Sequence, residues 1–148
     1  GSHEEELSRV TELAFFIPLI AAMAGNVGVQ SSAIVVQSIA SGVKDMDTTS
    51  RKLFKEISVA LFTATIFATL IFLYNFISQG DMDLTFSVSI SLLIVILFAS
   101  FFGTTIPLVL NRLKIDPALA TGPFITTMND ILGLFIYLSI GKMFFDIL

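Results

Sequence analysis

At 148 residues, 55% of them hydrophobic and 14% charged, with a net charge of -4, the chain has the composition of a membrane protein. The acidic balance and the lack of any basic run exclude a nucleic-acid-binding footprint. There is no cysteine, and the single histidine lies in Gly1-Ser2-His3, which reads as the remnant of a cleaved affinity tag. Disulfide frameworks, thiolate or imidazole metal centres and catalysis by Cys or His are thereby excluded from residues 4–148, which read as one transmembrane domain.

Glu4 to Glu12 is a short charged lead-in, expected as an interfacial turn of helix. Leu13 to Val43 holds no charged residue, and Pro18 and the pair Gly25 and Gly28 predict a bent or broken span rather than two spans. Lys44 to Glu56 reads as a charged loop entering a second span, Ile57 to Gly80, which the acidic pair Asp81 and Asp83 closes. A third span, Leu84 to Asn111, is expected to break near its end at Gly103-Thr104-Thr105-Ile106-Pro107. Arg112 and Lys114 lead into a fourth, Pro117 to Gly141, before an amphipathic tail, Lys142 to Leu148. The expected fold is an all-α integral membrane bundle of four transmembrane helices, the first, third and last of them broken or kinked. No internal repeat is present.

Helix order places Lys44, Arg51, Lys52, Lys55, Arg112 and Lys114 on one side. The positive-inside rule puts that side in the cytoplasm and both termini outside. No secretory signal precedes the first span, so this orientation implies a further span upstream.

The last span, DPALATGPFITTMNDILGLFIYLSIG, carries one carboxylate, Asp130, near its middle and no Lys or Arg within two helical turns of it. A charge at the bilayer centre costs roughly 2.5–3.5 kcal/mol on insertion scales, so Asp130 calls for a partner, most simply a cation that comes and goes. The other reading is a carboxylate protonated and bonded to a neighbouring helix. At about 100° per residue, Asp130 shares a face with Pro123, Thr126, Gly133, Tyr137 and Gly141. Phe124, Ile131, Phe135 and Leu138 form a flank for lipid or other helices. Pro123 frees the Leu119 carbonyl, so irregular backbone near Gly122 is a source of oxygen ligands. On the first span Asn26, Gln30, Ala33, Gln37 and Ser41 make a polar stripe, which serves either the water shell of a passing ion or hydrogen bonding between helices. Thr65 and Thr69 read as packing and backbone-bonding residues.

These donors are all hard oxygens, which excludes zinc, copper and ferrous iron and suits Mg²⁺ held through one or two carboxylates with its waters retained. Ca²⁺ asks for more direct ligands than this segment offers, while Na⁺ and the proton meet the same ligand chemistry. The candidate metal-ligating residues are Asp130, Asn26, Gln30 and Asn129.

The first span's PLIAAMAGNVGVQSSAIVVQSIASG and the last span's motif together resemble the membrane domain of the MgtE-type magnesium transporters, from about Glu6 to the C-terminus. The resemblance implies a homodimer with five membrane helices per subunit and an ion path along the dimer axis between helices matching the first and last spans. Asp130 matches the family's pore aspartate, which holds a largely hydrated Mg²⁺. Thr126 matches a position that offers its backbone carbonyl to the ion's shell. Asn26 and Gln30 match the polar residues of the family's Gly-Asn-x-Gly-x-Gln motif. The resemblance also implies a C-terminus outside the cytoplasm and a prokaryotic inner-membrane location. The family's first membrane helix has no counterpart here, nor do its cytoplasmic acidic and paired CBS domains. Gln37 stands where a basic residue is frequent, and Ser58, Ala60 and Ala64 where the family is glycine-rich.

The expected function is therefore a Mg²⁺ channel or transporter in a lipid bilayer, passing Mn²⁺, Co²⁺ or Ca²⁺ as further cargo, with Asp130 as the central ion site of a homodimer. The alternatives are a secondary carrier that couples Mg²⁺ to Na⁺ or H⁺, and a membrane scaffold that transports nothing. An intramembrane aspartyl protease needs two converging carboxylates, so no enzyme is expected.

Overall fold

Four segments form helices long and apolar enough to cross a membrane in the computed structural model, which describes residues 2–42 and 46–145. Among those residues every regular element is helical: α1 (Ser2–Phe15), α2 (Ile17–Ala40), α3 (Met46–Ser78), α4 (Met82–Arg112), a 3-10 turn (Pro117–Ala120) and α5 (Pro123–Phe145). The all-α membrane bundle expected from the apolar runs is the observed fold. Lys44, and residues 146–148 of the expected tail, lie outside the described residues.

The first span is α1 and α2 in series, interrupted at Phe16. Pro18 sits in the first turn of α2, where its missing N–H has no helical acceptor to lose. The helix then runs unbroken past Gly25 and Gly28, so the bend lies at Phe16 and not at the glycines. Those glycines let neighbouring helices approach instead. A Cβ on Gly28 would overlap the side-chain amide of Asn129 on α5, and one on Gly103 of α4 would lie 2.5 Å from the Gly28 carbonyl oxygen.

The charged lead-in is more than a turn: α1 is a helix of 14 residues whose end docks on α5. The buried Tyr137 hydroxyl donates to the Leu13 carbonyl at 2.8 Å, and the Arg9 guanidinium lies 5.5 Å from the Phe145 ring centroid. Among the described residues Tyr137→Phe leaves that carbonyl the Phe16 N–H, at 3.2 Å. The expected cost is about 1 kcal/mol, read as a lower unfolding midpoint with helix content unchanged.

The stretch expected as a charged loop is largely the start of α3, with Asp47 in its first turn where a carboxylate suits the helix dipole. Its 33 residues span about 50 Å, well beyond a hydrocarbon core of about 30 Å. The turns bearing the exposed Arg51, Lys52 and Lys55 therefore extend past the apolar part of the helix. Thr65 and Thr69 bond back to the carbonyls of Leu61 and Thr65, the backbone bonding expected of them. α3 ends with Gln79 in the left-handed region at φ 55° and the Gly80 N–H donating to the Asn75 carbonyl at 2.8 Å. Asp81 then caps α4 by accepting from the Asp83 N–H.

α4 is the most buried of the spans and packs against α2, α3 and α5 through Val88, Leu92, Val95, Ile96 and Ala99. The break expected at residues 103–107 does not interrupt it: Pro107 lies inside a continuous helix. Proline there removes one N–H, which would have met the Gly103 carbonyl, and the bonds on either side carry the helix through. The last span is interrupted as expected, by the 3-10 turn and by Gly122 at φ 66°. α3 is the least buried span, and its Phe62, Leu70, Phe76 and Ile77 face outward, as lipid-facing residues do.

Candidate functional site

α2 and α5 pack side by side, and one flank of their contact opens into a cleft of about 330 Å³. Asn26 and Gln30 line it from α2, above a floor of Ala21, Ala22 and Gly25, and Thr126 and Asp130 line it from α5. The small residues make the room: a Cβ on Gly25 would sit 3.4 Å from Asp130 Oδ1 and 3.4 Å from Thr126 Cγ2.

Local sequence fixes where α5 begins and hence where Asp130 points. The Asp116 side chain accepts from the Ala118 N–H at 2.9 Å and starts the 3-10 turn. Ser32, fully buried on α2, donates to the Ala120 carbonyl at 2.7 Å and ties that turn to the helix beside it. Gly122 then reverses the backbone, and its carbonyl accepts from both the N–H (3.0 Å) and the hydroxyl (3.1 Å) of Thr126. Asp130 stands one turn further on, half-buried at the edge of the cleft. The irregular backbone expected to offer ligands is thus already engaged at Gly122, and Leu119 is exposed and does not line the cleft.

Four of the five expected ligand residues, Asn26, Gln30, Thr126 and Asp130, share this cleft. Asn129 does not line it. It is 2% exposed and packed on Gly28, and among the described residues its Nδ2 has no hydrogen-bond partner. The face assigned to Asp130 by helical periodicity divides in two. Thr126 stays with the cleft, whereas Gly133, Tyr137 and Gly141 are buried inside the bundle. Gly133 causes the division: it admits Ala24 and Val95 so closely that this edge of α5 turns inward. Phe124, Ile131, Phe135 and Leu138 are exposed on the opposite flank, as expected.

On α2 the stripe of Asn26, Gln30, Ala33, Gln37 and Ser41 is exposed along its whole length. Amides facing hydrocarbon would forfeit their hydrogen bonds, so this face is built for water or for a partner and not for lipid. The sequence reads Gly25 as a breaker of the span, whereas here it and the small Ala21 and Ala22 border the cleft. Their place beside the Asn26 stripe at helical spacing was the signal that they border the same face.

The cleft holds one carboxylate, two amides and a hydroxyl, with no Lys or Arg in its lining. Among the described residues no group of three or more His, Cys, Asp or Glu converges on a metal-sized space. One carboxylate among uncharged oxygen donors suits a cation that keeps its waters. Six waters at about 30 Å³ each around an octahedral ion occupy about 180 Å³, which the cleft accommodates. Gly25→Leu fills that room. It is expected to lower cation occupancy at least about tenfold without loss of helix content, read by isothermal titration and circular dichroism.

The model of the MgtE divalent cation transporter family matches residues 17–140. The chain belongs to the MgtE family. It is 40% identical over 141 residues to the magnesium transporter MgtE of Bacillus subtilis, an alignment covering 95% of this chain and 31% of that protein. It is 34% identical over 144 residues to the magnesium transporter MgtE of Enterococcus faecalis, covering 97% of this chain and 32% of the relative. The same-named protein of Thermus thermophilus is 34% identical over 145 residues, with the same coverage of 97% and 32%. The chain thus spans about a third of the length of these relatives. The family match runs from the start of α2 nearly to the end of α5 and so takes in both walls of the cleft.

Proposed function

We propose that this chain forms the ion-conducting part of a Mg²⁺ transporter and that the α2–α5 cleft is one half of its ion site. The observation that carries this reading is a single carboxylate, Asp130, set with Asn26 and Gln30 in a cleft of about 330 Å³ on helices otherwise apolar enough to span a membrane. Asp130 supplies the attraction. The amide oxygens of Asn26 and Gln30 and the backbone and hydroxyl of Thr126 accept from the ion's waters, so the ion does not shed its shell. Asn129 acts from behind, holding α5 against Gly28 rather than touching cargo.

The homodimer belongs to this proposal. One carboxylate half-neutralises a divalent ion, and the exposed amide stripe needs a polar partner in an apolar medium. A second copy related by a two-fold axis supplies both. The basic turns of α3 and the Arg112–Lys114 corner then face the cytoplasm, and the C-terminus lies on the opposite side.

The experiment is Mg²⁺ flux into liposomes containing the protein, followed with an entrapped Mg²⁺-sensitive dye. Uptake driven by the Mg²⁺ gradient alone is expected, unaffected by collapsing Na⁺ and proton gradients. Uptake that requires an opposing Na⁺ or proton gradient would replace the pore by a coupled carrier, for which the interruptions at Phe16 and Gly122 are the moving parts.

A further inference from the structure

A second cavity, about 630 Å³ and roughly twice the volume of the ion cleft, opens where the α1–α2 junction meets the end of α3 and the start of α4. Its walls are apolar and aromatic, with Phe15, Phe67, Leu70 and Tyr74 among them, and Phe15 and Tyr74 are 79% and 70% exposed. The polar side chains of its rim are the carboxylates of Glu12 and Asp81, the amide of Asn75 and the hydroxyls of Ser78 and Tyr74. No Lys or Arg lines it.

Asn75 gives this rim its chemistry. It is 5% exposed, and its Nδ2 donates to the Asp81 carbonyl at 3.2 Å and to the Thr85 hydroxyl. With both amide hydrogens engaged, only its Oδ1 remains for a ligand, and that atom can only accept. Asp81 gives one oxygen to the Asp83 N–H as a helix cap and keeps the other. The rim therefore presents three acceptors, two of them anionic, above an aromatic trough level with one end of the bundle.

We propose that this cavity binds the ammonium headgroup of an ethanolamine phospholipid, with an acyl chain lying along Phe15, Phe67 and Leu70. Charge complementarity selects the occupant. An anionic headgroup meets two carboxylates and no cation, and an uncharged helix leaves both carboxylates unpaired. A primary ammonium donates three N–H groups, one each to Glu12, Asp81 and Asn75 Oδ1. A choline headgroup has the same charge and no N–H to give, so the site discriminates by hydrogen bonding and not by charge alone. Tyr74, amphipathic and exposed, lies one turn before the end of α3, and rings of this kind favour the headgroup level of a bilayer. This inference is independent of what passes through the α2–α5 cleft.

Native mass spectrometry of the detergent-solubilised chain, titrated with phosphatidylethanolamine or with phosphatidylcholine of the same acyl composition, tests it. The expected result is retention of the ethanolamine lipid about tenfold over the choline lipid, the worth of one to two charge-assisted hydrogen bonds. The combined variant Glu12→Gln and Asp81→Asn should abolish that preference while leaving total lipid binding within about twofold. Asparagine caps a helix as well as aspartate does, so α4 keeps its start, and circular dichroism checks that it has. Equal retention of the two lipids, or a preference unchanged in the variant, overturns the proposal and leaves the trough to an apolar occupant such as another helix.

Discussion

Replacing Asp130 by alanine is expected to cut Mg²⁺ flux at least about thirtyfold. A divalent ion about 4 Å from a carboxylate gains about 2 kcal/mol even with the full screening of bulk water, and about 8 kcal/mol at an effective dielectric constant of ~20. The half-buried position of Asp130 on a membrane-spanning helix lies between those limits, so the thirtyfold loss, which corresponds to about 2 kcal/mol, is the floor. Asp130→Asn keeps the shape and a hydrogen bond to the ion's water but not the charge, and should lose most of the same flux. Asp130→Glu keeps the charge on a longer arm and should retain more than either. The same alanine variant is expected to melt no lower than wild type. It removes a carboxylate from an apolar span, where the charge costs roughly 2.5–3.5 kcal/mol, and Asp130 makes no hydrogen bond that holds the bundle together among the described residues. Activity lost with stability kept separates an ion site from a packing residue. If alanine at 130 conducts as wild type does, the cleft is not the site.

The second large effect is structural and lies behind the cleft. Gly28, Gly103 and Asn129 form the crossing of α2, α4 and α5, and Gly28→Ala drives a methyl into the Asn129 amide with Ile125 Cγ2 at 3.2 Å beside it. Overpacking of this kind costs about 1–3 kcal/mol, and Gly103→Ala, whose methyl meets backbone, belongs at the upper end. Asn129 offers a way to isolate the cause. Its Nδ2 is buried without a partner among the described residues, so Asn129→Ala should cost less than most buried truncations. In that background Gly28→Ala should lose most of its penalty, giving a coupling of about 1 kcal/mol or more in a double-mutant cycle. Additive effects would mean that the two side chains do not meet. Because Gly103 is placed by backbone contact with Gly28, Asn129→Ala should leave the cost of Gly103→Ala unchanged.

Apolar run length was enough to place four spans, and an unpaired carboxylate with an amide stripe was enough to name four residues that come together. Both signals are physical demands the bilayer makes on any chain, so they are legible without neighbours in view. What escaped depends on neighbours. Gly25 and Gly28 look like helix breakers in one dimension, yet in the bundle one opens the cleft and the other admits Asn129. Asn129 follows Thr126 and precedes Asp130 but lies about 100° from Asp130 around the helix axis, enough to put it in the core. Pro107 reads as a break, yet α4 is packed on three sides and stays helical through it. The residues 46–56 read as a loop because they are charged, although charge at a helix end beyond the hydrocarbon is no obstacle to helix formation. The Ser32 bond to the Ala120 carbonyl joins residues 88 positions apart, and no local pattern announces it.

Anomalous diffraction from crystals of the chain grown with Mn²⁺ in place of Mg²⁺ would locate the ion. One dominant peak is expected in the α2–α5 cleft, about 4 Å or more from Asp130 Oδ1 because water intervenes, shared with a second copy and absent from the Asp130→Ala variant. A peak about 2.1 Å from the carboxylate oxygen would contradict the hydrated ion. A cleft empty of metal while Mn²⁺ binds elsewhere would contradict the site itself.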